Sequence, residues 1–196
     1  MNNDGSLNPI KLFEIWFEEA EARELDVPNA MSLSTANSSG RVSSRMVLMK
    51  AYDQRGFVFY TNTGSRKGRD IRENKSVALL FHWKSLKRQV RITGAAEQVD
   101  EEEADIYFAS RSRGSQAGAW ASRQSDHLQS RYSLEESIRE FEKNFADKAI
   151  PRPPFWTGYR VVPREIEFWE EEDFRLHNRI LYSLEGSVWS KSLLYP

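Results

Sequence analysis

The sequence has no cysteine, and only 3 of its 196 residues are histidine. The first absence excludes disulfides, thiol nucleophiles, cysteine-held metals and iron–sulfur clusters, and it fits a reducing compartment. His82, His127 and His177 show neither i,i+4 pairing nor HExxH spacing, so they carry no metal signal. Long hydrophobic runs are missing too, and the polar start Met1-Asn2-Asn3-Asp4-Gly5 lacks the cationic and apolar regions of a signal peptide. The expected location is cytoplasmic, with no membrane partner. Neither sign of charge dominates: 28 Lys and Arg face 29 Asp and Glu, a formal net charge of -1. No global field draws the chain to nucleic acid or an anionic surface. A hydrolase triad, a Walker loop and a GxGxxG fingerprint are also absent, so redox chemistry would need an organic cofactor.

What is present describes a globular protein. Apolar residues make up 39% and charged residues 29%, too apolar for a disordered chain. One unit over residues 1–196 is expected, with 1–7 flexible. Asn8-Pro9 has the chemistry of a helix cap, and Leu12, Phe13, Trp16, Phe17 and Ala20 form an apolar stripe behind it. Met31 to Ala36, Val42 to Ala51 and Gly56 to Thr61 read as a meander of short strands, followed by a polar helix opening at Ser65. Val77 to Trp83 and Lys87 to Val99 read as longer strands. Two helices follow, one capped by Asp100 with Glu103 and one opening on a Ser133-Leu134-Glu135-Glu136 capping box. After the stiff Ile150-Pro151-Arg152-Pro153-Pro154 connection, strands return near Tyr159 to Val162, Glu165 to Trp169 and Arg179 to Tyr182. The expected architecture is mostly β with peripheral helices (α+β), the strands before residue 100 making a five- or six-stranded sheet or barrel.

Basic residues cluster at several places. In an extended segment Arg175, His177 and Arg179 would project together, making one cationic, hydrogen-bonding stripe, although a solvated strand face has the same pattern. Ser65-Arg66-Lys67 at a helix start offers free N–H groups, a hydroxyl and two cations to one anion, against the alternative of a solvated first turn. Two cations there oppose the helix dipole, which favours a bound anion. Arg45 and Lys50 lie five apart around an apolar strand and face opposite sides, so they serve two ligands or one of them is solvated. Gln89, opposite Val90, can offer both donor and acceptor to a heterocycle. The run Tyr107 to Gln116, with Arg111, Arg113 and Ser115, reads as a loop suited to a phosphate monoester, or as a solvated basic turn. Gln124-Ser125 adds polar capacity.

These motifs stand in a familiar order. Arg45 to Lys50, Phe59-Tyr60-Thr61-Asn62, Ser65-Arg66-Lys67, Arg88-Gln89-Val90, Ser110-Arg111, Gly114-Ser115-Gln116, Gln124-Ser125, Pro151-Arg152-Pro153, Glu167-Phe168-Trp169 and Arg175-Leu176-His177 together resemble the pyridoxine (pyridoxamine) 5′-phosphate oxidase family, from Pro9 to Pro196. The resemblance implies an FMN-binding split β-barrel, a homodimer with the flavin between its subunits. It implies FMN contacts at Arg45, Tyr60, Thr61, Arg66, Lys67, Gln89, Gln124, Ser125, Trp169 and Arg179. It implies substrate contacts at Lys50, Tyr107, Arg111, Ser115, Arg175 and His177, of which Arg175 and His177 act at the reacting end. The implied reaction oxidises phosphorylated B6 vitamers to pyridoxal 5′-phosphate, with oxygen as acceptor and hydrogen peroxide as product.

The sequence departs from the family pattern in places. Glu170, Glu171 and Glu172 replace the usual Gln-Gly after Trp169, Asn178 replaces Asp in the R-L-H-D-R motif, and Ser192 to Pro196 lacks a customary Arg. The start does not match the basic, tyrosine-containing segment with which many relatives cover the substrate. Extra carboxylates near anionic ligands are unhelpful unless they point to solvent. Two rivals share the fold: a flavin oxidase like those of phenazine biosynthesis, a branch that tends to lose Lys50 and the Arg111 to Ser115 loop, and a non-catalytic binder of FMN or pyridoxal phosphate.

Overall fold

The computed structural model describes residues 8–146 and 148–196, so the expectation that 1–7 are flexible lies outside the described residues. Helix α1 (Pro9–Arg23) starts where the Asn8 side chain accepts the Ile10 N–H at 2.8 Å, with Pro9 in the first turn. Its buried face carries Ile10, Phe13, Trp16, Phe17 and Ala20. Phe13 is fully enclosed, edge-on to Tyr52 and Phe57 at ring separations of 5.1 and 4.8 Å. The helix thus plugs the sheet through one aromatic cluster.

Nine strands among the described residues form one antiparallel sheet: β1 (Ala30–Ala36), β2 (Val42–Leu48), β3 (Ala51–Asp53), β4 (Gly56–Asn62), β5 (Ser76–Trp83), β6 (Arg88–Gln98), β7 (Trp156–Glu170), β8 (Asn178–Glu185) and β9 (Val188–Leu193). The path runs β2-β1-β5-β6-β7-β4-β3, and β8 with β9 joins β7 off that path. Alternation drives burial: Met31, Leu33 and Thr35 of β1, and Val77, Leu79, Phe81 and Trp83 of β5, all turn inward. Helix α2 (Arg66–Glu73) follows β4, while α3 (Glu101–Ser110), α4 (Arg113–Ala121) and α5 (Arg131–Asn144) lie between β6 and β7.

Strand β7 organises the whole. One of its sides pairs with β6 along its length, whereas the other pairs with β4 near Trp156 to Val161 and with β8 from Glu165 to Glu170. The sheet therefore splits along β7, giving the expected split β-barrel. At the split the register slips between Thr93 and Gly94 of β6, which face Glu165 and Pro163 and leave Arg164 as an extra residue. A Cβ on Gly94 would stand 2.1 Å from the Val162 carbonyl oxygen, which is backbone and cannot turn aside. Gly94→Ala is expected to cost about 3 kcal/mol of stability, read as a lower urea midpoint at unchanged m-value.

Several elements differ from expectation. Nine strands stand where eight segments were read: the run from Val42 to Ala51 ends at Leu48 and a separate β3 starts at Ala51, the run from Tyr159 to Trp169 is one continuous strand, and the tail forms β9. Three helices replace two, since Arg113 to Ala121 is helical where a loop was expected. Helix α3 does start after Asp100, but without a side-chain cap, and Glu103 instead accepts from Arg160 at 3.2 Å. Helix α5 starts earlier than expected: Ser130 caps it by accepting the Ser133 N–H at 3.1 Å.

Candidate functional site

The turn from β4 into α2 gathers the first group. Ser65 caps α2, its hydroxyl accepting the Gly68 N–H at 3.3 Å. Asn62 accepts the Gly64 N–H at 2.7 Å and donates to the Ser122 carbonyl at 3.2 Å, tying this turn to the loop after α4. That tie delivers Gln124, whose side-chain oxygen accepts from Thr61 at 3.1 Å and from Lys67 Nζ at 2.8 Å. Lys67 is buried and donates also to Thr61 and Ser65 hydroxyls at 3.1 and 3.3 Å. Every acceptor is neutral. Burial, then the charge of Arg45, pushes the Lys67 ammonium down to about 8.

Arg45 reaches the same region from β2. It donates to the Leu33 carbonyl at 3.1 Å and to Thr35 Oγ1 at 2.8 Å, and its other terminal nitrogen lies 3.9 Å from Asp70. Thr35 in turn donates to Asp70 at 2.7 Å, so a buried hydroxyl and carboxylate orient the guanidinium. Burial lowers the Arg45 pKa, Asp70 opposes this, and Arg66 adds to it. Arg45, Arg66 and Lys67 thus share one field, and among the described residues only Asp70 pairs with any of them. Such a surplus of cations beside free helix N–H groups fits a phosphate. Ser125 follows Gln124 in an exposed left-handed conformation, φ 75°.

A second group lies under α3. Tyr60 stacks on Tyr107 with ring centroids 3.9 Å apart and on Trp156 at 5.3 Å. A side chain at Gly158, opposite Tyr60 on β7, would strike that ring at 2.7 Å. The Arg111 guanidinium lies 4.8 Å over the Trp156 ring, and its Nη1 is buried with no hydrogen-bond partner among the described residues. Desolvation lowers the Arg111 pKa, while burial, aided by Glu103, pushes the Tyr60 phenol up to about 12. Gln116 donates to the Phe108 and Ala109 carbonyls at 3.0 and 3.3 Å, locking the junction of α3 and α4 around Arg111. Ser115 shares a hydrogen bond with Ser112 at 2.8 Å, and the exposed Lys50 side chain makes no hydrogen bond or ion pair among the described residues. Lys50 follows the end of β2 and Arg45 sits within it, so the two do not meet. Tyr60 contacts Tyr107, whereas its neighbour Thr61 contacts Lys67, as alternation along β4 dictates.

A third group sits at the far end of β7. Gln89 pairs across the sheet with Trp169, and the Trp169 ring lies 4.6 Å from that of His177. His177 Nδ1 accepts the Glu172 N–H at 3.3 Å. Arg179 donates to buried Glu167 at 2.8 Å and to the Tyr195 carbonyl at 2.9 Å, while the second Glu167 oxygen lies 3.1 Å from Arg91 without hydrogen-bond alignment. The expected stripe of Arg175, His177 and Arg179 does not form. Phe174 and Arg175 adopt φ of 57° and 63°, so this stretch is a tight turn that leaves Arg175 exposed, and β8 begins only at Asn178. The acidic run is mostly neutralised: Glu170 pairs with Arg88 at 2.7 Å and Glu171 with Lys87 at 3.2 Å.

The first and third groups occupy opposite ends of one strand. Thr61 faces Thr157 on β7, whereas Gln89 faces Trp169, a separation of about 40 Å along a straight strand. No hydrogen bond, ion pair or ring contact among the described residues joins them. Sequence motifs missed Thr35, Asp70 and Trp156, whose types are ordinary core and helix residues and gave no signal; their roles appear only once the strands are paired.

The architecture places the chain among the FMN-binding split barrels. A pyridoxamine 5′-phosphate oxidase-related, FMN-binding protein from Nostoc punctiforme shares the fold with a TM-score of 0.77 at 17% identity, covering 97% of this chain and 100% of that one. Residues 17–145 match the family model described as pyridoxamine 5′-phosphate oxidase, and 156–196 match the pyridoxine 5′-phosphate oxidase C-terminal dimerisation region. The chain belongs to the pyridoxine/pyridoxamine 5′-phosphate oxidase family. A relative of that name from Rubrobacter xylanophilus is 55% identical over 189 residues, 96% of this chain and 87% of its own. PhzG of Burkholderia lata, solved with tetrahydrophenazine-1-carboxylic acid, has a TM-score of 0.93 at 36% identity, covering 99% and 95%. Membership supports an oxidoreductase with a flavin cofactor, and the dimerisation region supports a homodimer. No helix among the described residues is long and apolar enough to cross a membrane.

Proposed function

We propose that the protein oxidises pyridoxine 5′-phosphate and pyridoxamine 5′-phosphate to pyridoxal 5′-phosphate, with FMN as cofactor, oxygen as electron acceptor and hydrogen peroxide as product. The observation that carries this reading is two cations without counter-ions in separate groups of side chains, the buried Lys67 and the half-buried Arg111, whose Nη1 is enclosed. Two anionic ligands satisfy both. FMN, when bound, supplies the two-electron acceptor.

On this reading Arg45, Arg66 and Lys67, with Thr61, Gln124 and Ser125, hold the FMN phosphate and ribityl end, and Gln89, Trp169 and Arg179 serve the ring end. Arg111, Tyr107, Ser115 and Lys50 hold the substrate phosphate, with Tyr60 as the aromatic floor beneath Tyr107. Remote binding of that dianion orients the reacting exocyclic carbon. Arg175 and His177 hold the pyridine ring and its polar substituents. Since the two ends of β7 lie far apart, each complete site draws Arg175, His177, Trp169 and Arg179 from one copy and the phosphate-binding groups from another. The match to the dimerisation region, which contains all four residues, supports this division.

The likeness to PhzG favours a second reading, oxidation of a phosphate-free fused ring. Peroxide release and anaerobic bleaching on adding pyridoxine 5′-phosphate decide between them; inertness toward both vitamer phosphates would remove the proposal. Arg175→Ala is expected to lower turnover about a hundredfold with FMN content unchanged, because its guanidinium is assigned to the substrate's pyridine ring and not to the cofactor. An unaltered rate would refute its role.

A further inference from the structure

Glu172 is the one member of the Glu170 to Glu172 run with no cation partner among the described residues. Its carboxylate instead accepts from the Asn178 side-chain amide at 2.8 Å, across the neck of the turn that carries Arg175 and His177. At the same residue the backbone N–H donates to His177 Nδ1 at 3.3 Å. The turn between holds two left-handed non-glycine residues, Phe174 and Arg175, and is closed internally by the Leu176 N–H on the Asp173 carbonyl at 3.1 Å. Such strained backbone persists only where its ends are pinned.

We infer that Glu172 and Asn178 form a neutral-donor clamp that positions His177 and fixes its tautomer. A backbone N–H can only donate, so Nδ1 must present its lone pair and the ring proton of the neutral imidazole sits on Nε2. His177 then faces its ligand as an Nε2–H donor, backed by the Trp169 ring. The clamp explains two departures from the family pattern as one. With Glu at 172, an Asp at 178 would set two carboxylates within hydrogen-bond distance, next to Glu170, which already faces residue 178 across the strands. Asn at 178 removes that repulsion and supplies the donor. This inference rests on the proposed role of His177 in holding the substrate.

Three variants and two readouts test it: KM for pyridoxine 5′-phosphate, and the ring ¹⁵N shifts of His177, which report the tautomer without turnover. Asn178→Asp is expected to raise KM about tenfold at little change in FMN content and to move the Nδ1 and Nε2 shifts away from a pure Nε2–H form. Glu172→Ala, which removes the acceptor without adding charge, should move both readouts the same way by a smaller amount. The exchanged pair, Glu172→Gln with Asn178→Asp, restores one amide and one carboxylate with their places reversed, and should return both readouts to within about twofold of the parent. Parent-like values in the single Asp variant, or a double variant as impaired as that single, would overturn the clamp. A parent protein inert toward the vitamer phosphate would sink the proposed function instead, while the ¹⁵N shifts would still decide the tautomer.

Discussion

Replacing Lys67 by methionine is expected to yield a colourless protein whose affinity for FMN is lower by about a hundredfold, the loss of a charge-assisted bond in a buried site. Methionine keeps the length and volume of the side chain, so the change is confined to the ammonium, its charge and its hydrogen bonds to Thr61, Ser65 and Gln124. Equilibrium titration with FMN measures it, and a variant that purifies yellow with parent affinity would remove Lys67 from the cofactor site. The same residue sets a pH dependence. In the free protein its ammonium is held down at about 8 by burial and by Arg45. A phosphate dianion restores the charged form, so binding takes up a proton above that pH, and FMN affinity falls as pH rises from about 8 towards the ordinary lysine range. The linkage to folding has the opposite direction: the unfolded chain binds the proton more tightly, so this group adds to the stability of the free protein as pH rises through that window. Methionine at 67 should abolish both slopes.

Arg111→Met should raise KM for pyridoxine 5′-phosphate by about a hundredfold while leaving FMN binding intact, since a half-buried guanidinium facing a dianion contributes a strong paired bond. The variant should also be as stable as the parent or more so without substrate. Nη1 is enclosed and unpartnered, and replacing this half-buried charge, held only against the Trp156 and Phe108 rings, by an apolar chain relieves its desolvation. Unphosphorylated pyridoxine provides the control: parent and variant should use it equally poorly. Lower stability of the ligand-free variant together with unchanged KM would show that Arg111 serves the packing of α3 on Trp156 and nothing more.

Much of the barrel was legible because burial obeys alternation in β1, β5 and β6, and because Asn8-Pro9 caps α1 as its chemistry requires. Helix α4 was not, since its opening residues Arg113-Gly114-Ser115 resemble a turn. Its support is tertiary, from Gln116 bonding the end of α3 and Trp120 donating to the Pro151 carbonyl at 2.8 Å. The length of β7 was hidden by Pro163, which ordinarily ends a strand; here it lies at the bulge opposite Gly94. Motifs named the cations of the site and left out their supports. The family's R-L-H spacing says nothing of a left-handed turn, and Asp70 and Thr35 are thirty-five residues apart until β1 and α2 bring them together.

The length of β7 bears on more than architecture. With the two kinds of half-site at its opposite ends, a solitary folded chain on the proposed reading owns both and completes neither. Dilution below the subunit dissociation constant then silences the enzyme without unfolding a single residue, and the abundance of the protein becomes a control on its specific activity.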